Sequence, residues 1–198
     1  MKWRKLGLIF ENQGQHPWMA THAAVPFLLG ETGSGYRLFF TARNRAGHSH
    51  VVRAEFDPDS LAVRNIHPEP VISPGPLGSF DEHGVTASYG LVTPGGTSRI
   101  YYVGWSRSES TPFRNAIGVI EENDAGTFSK LFPGPIVDRS PVDPAFVAGT
   151  RVLLDGDIYK MWYISCVRWE EVPGGRPKHH YHLKYATSPD GFNWKRDG

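Results

Sequence analysis

This sequence predicts an all-β fold in which four-stranded sheets repeat as blades of a β-propeller, and three observations carry the prediction. Aromatic doublets recur at Phe39-Phe40, Tyr101-Tyr102 and Trp162-Tyr163, at intervals of 101 − 39 = 62 and 162 − 101 = 61 residues. A period of that length marks a repeat architecture. Each doublet is embedded in the same succession of short apolar runs and Gly-containing turns, which reads as hairpins. An aromatic fraction of 13%, with 22 Gly and 16 Pro, favours many short strands over helices.

The elements follow in order. Residues 23–29, 85–92 and 146–154 are expected as first strands, closed by turns at 30–35, Gly95-Gly96 and Asp155-Gly156. The doublets lie in second strands over 36–43, 99–105 and 159–165, and third strands follow over 48–56, 114–122 and 181–188. Weaker fourth strands are expected within 65–73, 128–137 and 193–198. Neighbouring residues on a strand face opposite sides of a sheet, so a doublet demands cover on both faces. Blades stacked around an axis supply that cover, whereas a sandwich sheet alternates apolar with polar residues. The chain is therefore read as one domain over 1–198, with blades at 16–75, 76–137 and 138–198.

A formal net charge of +1 with no basic block gives no electrostatic basis for nucleic-acid binding. Cys166 is the single cysteine, which excludes an internal disulfide. No run approaches the roughly 20 apolar residues of a membrane span, and residues 6–10 are too short for a signal core. No membrane partner and a cytoplasmic location are the expectations.

The stretch Lys184-Tyr185-Ala186-Thr187-Ser188-Pro189-Asp190-Gly191-Phe192-Asn193-Trp194, with a weaker copy at Asp124-Ala125-Gly126-Thr127-Phe128, resembles the blade-ending pattern of the five-bladed propeller glycoside hydrolases. These include arabinanases, β-xylosidases, invertases and levansucrases. The resemblance implies an N-terminal fragment of a five-bladed ring, about three blades long, in which residues 1–10 complete the last blade of the full ring. Its terminal faces would then be apolar and prone to self-association. It also implies a glycan substrate in an axial funnel, and catalytic carboxylates opening the inner strands of different blades. Glu82 and Asp143 fit, each 19 residues before its doublet (101 − 82 and 162 − 143), with Asp81 the neighbouring candidate. Glycoside hydrolysis uses one protonated and one ionised carboxyl group; Glu82 is assigned the acid and Asp143 the ionised partner.

Blade one departs from the family: residues 18–26 contain no carboxylate, and His22 is the nearest polar group. That leaves two alternatives open for the activity. One is a non-catalytic propeller that binds a carbohydrate or a protein. The other is a glycoside phosphorylase or glycosyl transferase, which would hold phosphate through Arg43, Arg45, Arg107 and Arg168.

Arg43, Trp105, Arg107, Arg168 and Trp169 follow the doublets at matching places and supply the bidentate donors and aromatic faces that a sugar requires. His22, His83 and Arg114, the last with Asn115, complete the candidate substrate-binding set. His48-x-His50 and His180-x-His182 each pair two imidazoles on one strand face, but two ligands do not make a metal site. No cofactor is expected from the residues; the resemblance allows a single calcium ion near His22 or His83.

Overall fold

The computed structural model describes residues 2–197 and consists, among them, of eleven β-strands. The first sheet holds β1 (Thr21–Thr32), β2 (Gly35–Arg43), β3 (Ser49–Asp57) and β4 (Ala62–Arg64). The second holds β5 (Gly84–Val92), β6 (Ser98–Ser106), β7 (Arg114–Glu122) and β8 (Phe128–Lys130), and the third β9 (Phe146–Asp155), β10 (Ile158–Glu170) and β11 (Lys178–Ser188). Within each, consecutive strands pair antiparallel. A single parallel pair, Ser49 with Gly84, joins the first sheet to the second. The expected fourth strands are broken ones, continuing beyond β4 and β8 only as bridges from Val51 to Ile72 and from Ile117 to Val137. The third blade has the corresponding bridge from Thr187 to Lys195. No helix among the described residues is long and apolar enough to cross a membrane.

The doublets organise the core. Phe39 and Tyr102 meet between the first and second sheets, in a cluster with Phe27, Val51, Val85 and Ile120. Tyr101 and Tyr163 meet between the second and third, with Val119, Val152 and Met161. Phe40 faces the other way, into a third cluster with Met19, Leu38 and Val52, against which Phe10 and Trp18 pack. Each ring placed in such a cluster stabilises the fold by about 1.5–3 kcal/mol relative to exposure. Trp162 is the exception. It lies on the outer face of the third sheet beside Tyr185, where Leu153, Leu183 and Tyr185 remain exposed. Residues 3–10, expected as a strand, enter no ladder; Phe10 instead caps the outer face of the first sheet, its ring 5.4 Å from that of Phe40.

A buried acid underlies two of the sheets. Asp81 accepts hydrogen bonds from Tyr102 at 3.0 Å and Ser79 at 2.8 Å, and pairs with Lys130 at 2.5 Å. Asp143 lies within 3.3 Å of the Tyr163 hydroxyl, accepts from Ser140 at 3.1 Å and pairs with Arg196 at 2.8 Å and Lys184 at 3.6 Å. Both carboxylates are closed off from solvent, at 1% and 0% exposure. To reach Asp81 the Tyr102 ring crosses β7 at Gly118, where a Cβ would come within 2.4 Å of it. The first sheet repeats the spacing in apolar form: Met19 precedes Phe40 by 40 − 19 = 21 residues, as Asp81 precedes Tyr102 by 102 − 81 = 21. Met19 and Phe40 are both buried in one cluster.

Candidate functional site

The first strands of the three sheets converge: β1 packs on β5, and β5 on β9. Side chains sew them together. Ala87 N–H donates to Thr41 Oγ1 at 3.0 Å, and Thr150 N–H donates to Ser88 Oγ at 2.6 Å while that hydroxyl donates to the Thr150 carbonyl at 3.1 Å. These bonds satisfy backbone groups that no ladder reaches. Above them opens a cavity of about 670 Å³, within the range of small-molecule sites.

Its floor is Val25 of β1, Thr86, Ala87 and Ser88 of β5, and Ala148 and Gly149 of β9. β1 carries register shifts on both sides of Ala24, and His22 and Val25 have φ of 65° and 52°. A branched residue in the left-handed region is a strained outlier of the kind that re-aims a side chain beside a site. The walls come from the strand ends above, Arg43 of β2, Trp105 of β6, Trp169 of β10 and His179 of β11, and from loop residues including Phe113 and Arg176.

Trp105 is fixed from several sides. Its indole N–H donates to Ser49 Oγ at 2.8 Å, His83 packs 5.8 Å from its ring, and the Arg43 guanidinium lies 5.9 Å from its centroid. Gly84 makes this seat: a Cβ there would stand 2.1 Å from the indole nitrogen and 2.3 Å from Ser49 Oγ. Across the cavity, Trp169 is held edge-on by Phe113 at 5.3 Å and His179 at 5.4 Å. Among the described residues no Asp or Glu lines the cavity. Among the described residues Arg43, Arg107 and Arg176 enter no ion pair.

The histidines around Trp105 form a second layer. His48 packs edge-on to His83 at 5.5 Å, and Arg107 N–H donates to His83 Nδ1 at 3.3 Å. Burial, and then the neighbouring His83 and Arg107, hold the His48 imidazole below its ordinary value. Burial and His48 do the same to His50. His50 Nδ1 meets Ser73 Oγ at 3.2 Å, while its buried Nε2 has no partner.

Of the sequence candidates, Arg43, Trp105, Asn115 and Trp169 line the cavity. His83 and Arg107 stand behind Trp105 on its rim. Glu82 is near them, with Oε2 accepting from Gly78 N–H at 2.7 Å and Oε1 3.4 Å from His83 Nδ1; its side chain is 18% exposed. Asp81 and Asp143 require correction. Neither faces the cavity, because tyrosine hydroxyls and cations within the sheets hold both. Burial pushes the Asp143 carboxyl up, but hydrogen bonding and the charges of Arg196 and Lys184 hold it below the ordinary value. Burial and Asp143 in turn push the Tyr163 hydroxyl up to about 12.

Three other candidates lie outside the cavity. Arg168 turns away to pair with Glu170 at 3.3 Å, and His22 is exposed with Nδ1 on Thr21 Oγ1 at 2.9 Å. Arg114 lines a separate, smaller cavity of about 130 Å³ with Asp138 and Arg139. The calcium ion does not fit these residues: no group of three or more His, Cys, Asp or Glu side chains converges among the described residues, and calcium takes oxygen ligands in place of imidazoles. Val25, Phe113, Arg176 and His179 line the site without having been singled out in the sequence.

No protein-family model matches this chain. It is 34% identical over 200 residues to two uncharacterized proteins of Mycobacterium tuberculosis, MT1551 of strain CDC 1551 / Oshkosh and Rv1502 of strain ATCC 25618 / H37Rv. The match covers 99% of this chain and 64% of each relative, so the chain spans about two-thirds of their length or slightly less. Among solved structures it superposes on the Bombyx mori GH32 β-fructofuranosidase BmSUC1 with TM-score 0.63 at 15% identity, over 88% of this chain and 34% of that one. A thermostable family-43 glycoside hydrolase gives TM-score 0.64 at 17% identity, over 90% and 55%. The sucrose-6-phosphate hydrolase of Lactobacillus gasseri gives 0.64 at 14%, over 94% and 38%. The fold is thus that of part of the β-propeller seen in the five-bladed propeller glycoside hydrolases.

Proposed function

We propose that this chain forms the sugar-binding face of a glycosidase-like, carbohydrate-active propeller, with the glycan held in the cavity where β1, β5 and β9 converge. The observation that carries this reading is the wall itself: Trp105 of the second sheet and Trp169 of the third both line one open cavity of about 670 Å³. An indole offers a sugar ring an apolar face, and guanidinium and imidazole groups offer its hydroxyls donors. Binding stands ahead of hydrolysis because hydrolysis needs two carboxyl groups flanking one bond, and the cavity lining contains none. Glu82 keeps the role of candidate acid, since it is the partly exposed carboxylate beside the Trp105 rim.

Titration of tryptophan fluorescence with a panel of mono- and oligosaccharides tests the reading. Trp105→Ala is expected to weaken the best ligand at least tenfold; unchanged affinity would remove the cavity from consideration. Turnover of aryl glycosides that disappears in Glu82→Gln would favour hydrolysis over binding alone.

A further inference from the structure

The rim beside Trp105 gathers guanidinium charge and imidazole groups that no ion pair of the fold accounts for beyond the Glu82 contact to His83. Arg43 comes from the end of β2, His48 from the turn into β3, His83 from the approach to β5, and Arg107 from the end of β6. Four segments of two sheets thus meet here: the Arg43 guanidinium and the His83 ring lie against the indole, His48 packs on His83, and Arg107 joins them through its main-chain N–H on His83 Nδ1 and through its charge, which acts on His48. Glu82 is the one carboxylate found against them, and its Oε2 is engaged by the Gly78 amide. Arg43 and Arg107 are exposed and enter no ion pair among the described residues, so neither is tied to a structural partner. Arg176, also without an ion pair, faces the same cavity from the hairpin between β10 and β11.

Like charges gathered around a ring repel one another unless an anion joins them. A lone carboxylate has two oxygens and one charge. A phosphoryl group offers three acceptor oxygens and a charge of about −1.5 to −2, which matches two forks and two imidazoles better. Guanidinium is the side chain suited to such a group.

We infer that this rim is a phosphoryl-binding subsite, in which Arg43 and Arg107, with His48 and His83 behind Trp105, receive the phosphate of a phosphorylated sugar or free inorganic phosphate. The inference rests on the sugar-binding reading of the cavity and adds the chemical class of the ligand. No bond is made or broken in this step.

Calorimetric titrations of the chain with glucose, glucose 1-phosphate, glucose 6-phosphate, glucuronate and inorganic phosphate test it, beside Arg43→Ala, Arg107→Ala and Arg176→Ala. Thermal melts establish that each variant is folded, and both rim arginines are exposed enough to be replaced without loss of core. The expected result is at least tenfold preference for a sugar phosphate over glucose, lost in Arg43→Ala and Arg107→Ala. Binding of inorganic phosphate alone, lost in the same variants, would support the subsite and assign it to free phosphate. Glucose or glucuronate bound as tightly as either sugar phosphate would overturn the inference while leaving the cavity a sugar site. Absence of binding by every probe would overturn both readings.

Discussion

Arg37, near the start of β2, and Arg43, at its end, lie on one strand and live in opposite surroundings. Arg37 forks onto Glu122 at 2.8 and 2.7 Å and onto Ser98 at 2.8 Å, tying the first sheet to the second. At the same end Arg99 pairs with Glu121 at 2.7 Å and bonds the Asp190 carbonyl at 2.8 Å, tying the second sheet to the third. At the other end Arg43 rests on an indole, and Arg107 and Arg176 find no carboxylate. One end of the blades spends Arg37 and Arg99 on holding sheets together; the other pairs Arg168 with Glu170 but leaves Arg43, Arg107 and Arg176 without a carboxylate among the described residues. Burying an unpaired charge is costly, and leaving one exposed at a cavity is not.

The structural half of this contrast breaks most sharply at Asp143. Asp143→Ala takes their shared partner from the part-buried Arg196 and Lys184 and from the buried Tyr163 hydroxyl, and is expected to lower the unfolding free energy by about 3 kcal/mol in denaturant titrations. The double change Asp81→Met with Tyr102→Phe, which copies the first sheet's Met19 and Phe40, is expected to be less damaging than Asp81→Ala alone. Next, Arg37→Met leaves Glu122 half-buried without its partner and should lose about 1–3 kcal/mol, whereas Arg43→Met should leave stability within about 0.5 kcal/mol. Equal losses at the two ends would erase the contrast.

Gly84→Ala sharpens it from the cavity side. The added methyl must displace the Trp105 indole, with an expected loss of about 1–3 kcal/mol and a shifted tryptophan emission.

Acidification gives the smallest effect. Asp143 and Glu122 both have carboxyls held below their ordinary values, against the opposing effect of burial, by hydrogen bonds and by cations. Folded values below unfolded ones mean that their stabilisation is present above about pH 4 and is lost as pH falls through the folded values. His48 and His50 are also held low, chiefly by burial. The unfolded chain takes up their protons first, so stability declines as pH falls below about 6.5. In urea titrations across pH, Asp143→Asn should flatten the lower limb and His50→Gln the upper.

The fold was legible because the doublets state a physical requirement, apolar cover on both faces of a sheet, that few architectures meet. The sheets, their order and their turns follow from that reading. Asp81 and Asp143 were misread because a carboxylate opening a first strand has the same spacing whether it points along the axis or under its own sheet. Met19 was the signal that could have separated these cases: an apolar residue at the same offset from Phe40 marks the position as one that packs. Arg43, Trp105 and Trp169 were within reach because they follow the doublets at corresponding places. Phe113 and Arg176 were not, since they stand in connections whose lengths differ from one repeat to the next, and His179 lies on the extension of β10 and β11 that the shorter expected strands left out. Val25 was hidden by the bulges of β1, which no alternation pattern announces.

The central claim is that unpaired arginines at the open end make the cavity a site for an anionic sugar. Thermal melting with and without saturating glucose 6-phosphate tests it most directly, because a ligand bound only to the folded chain raises the midpoint. The account predicts a rise for the unaltered chain that is absent in the Arg43→Ala, Arg107→Ala double variant. An identical rise in both, or none in either, would contradict it.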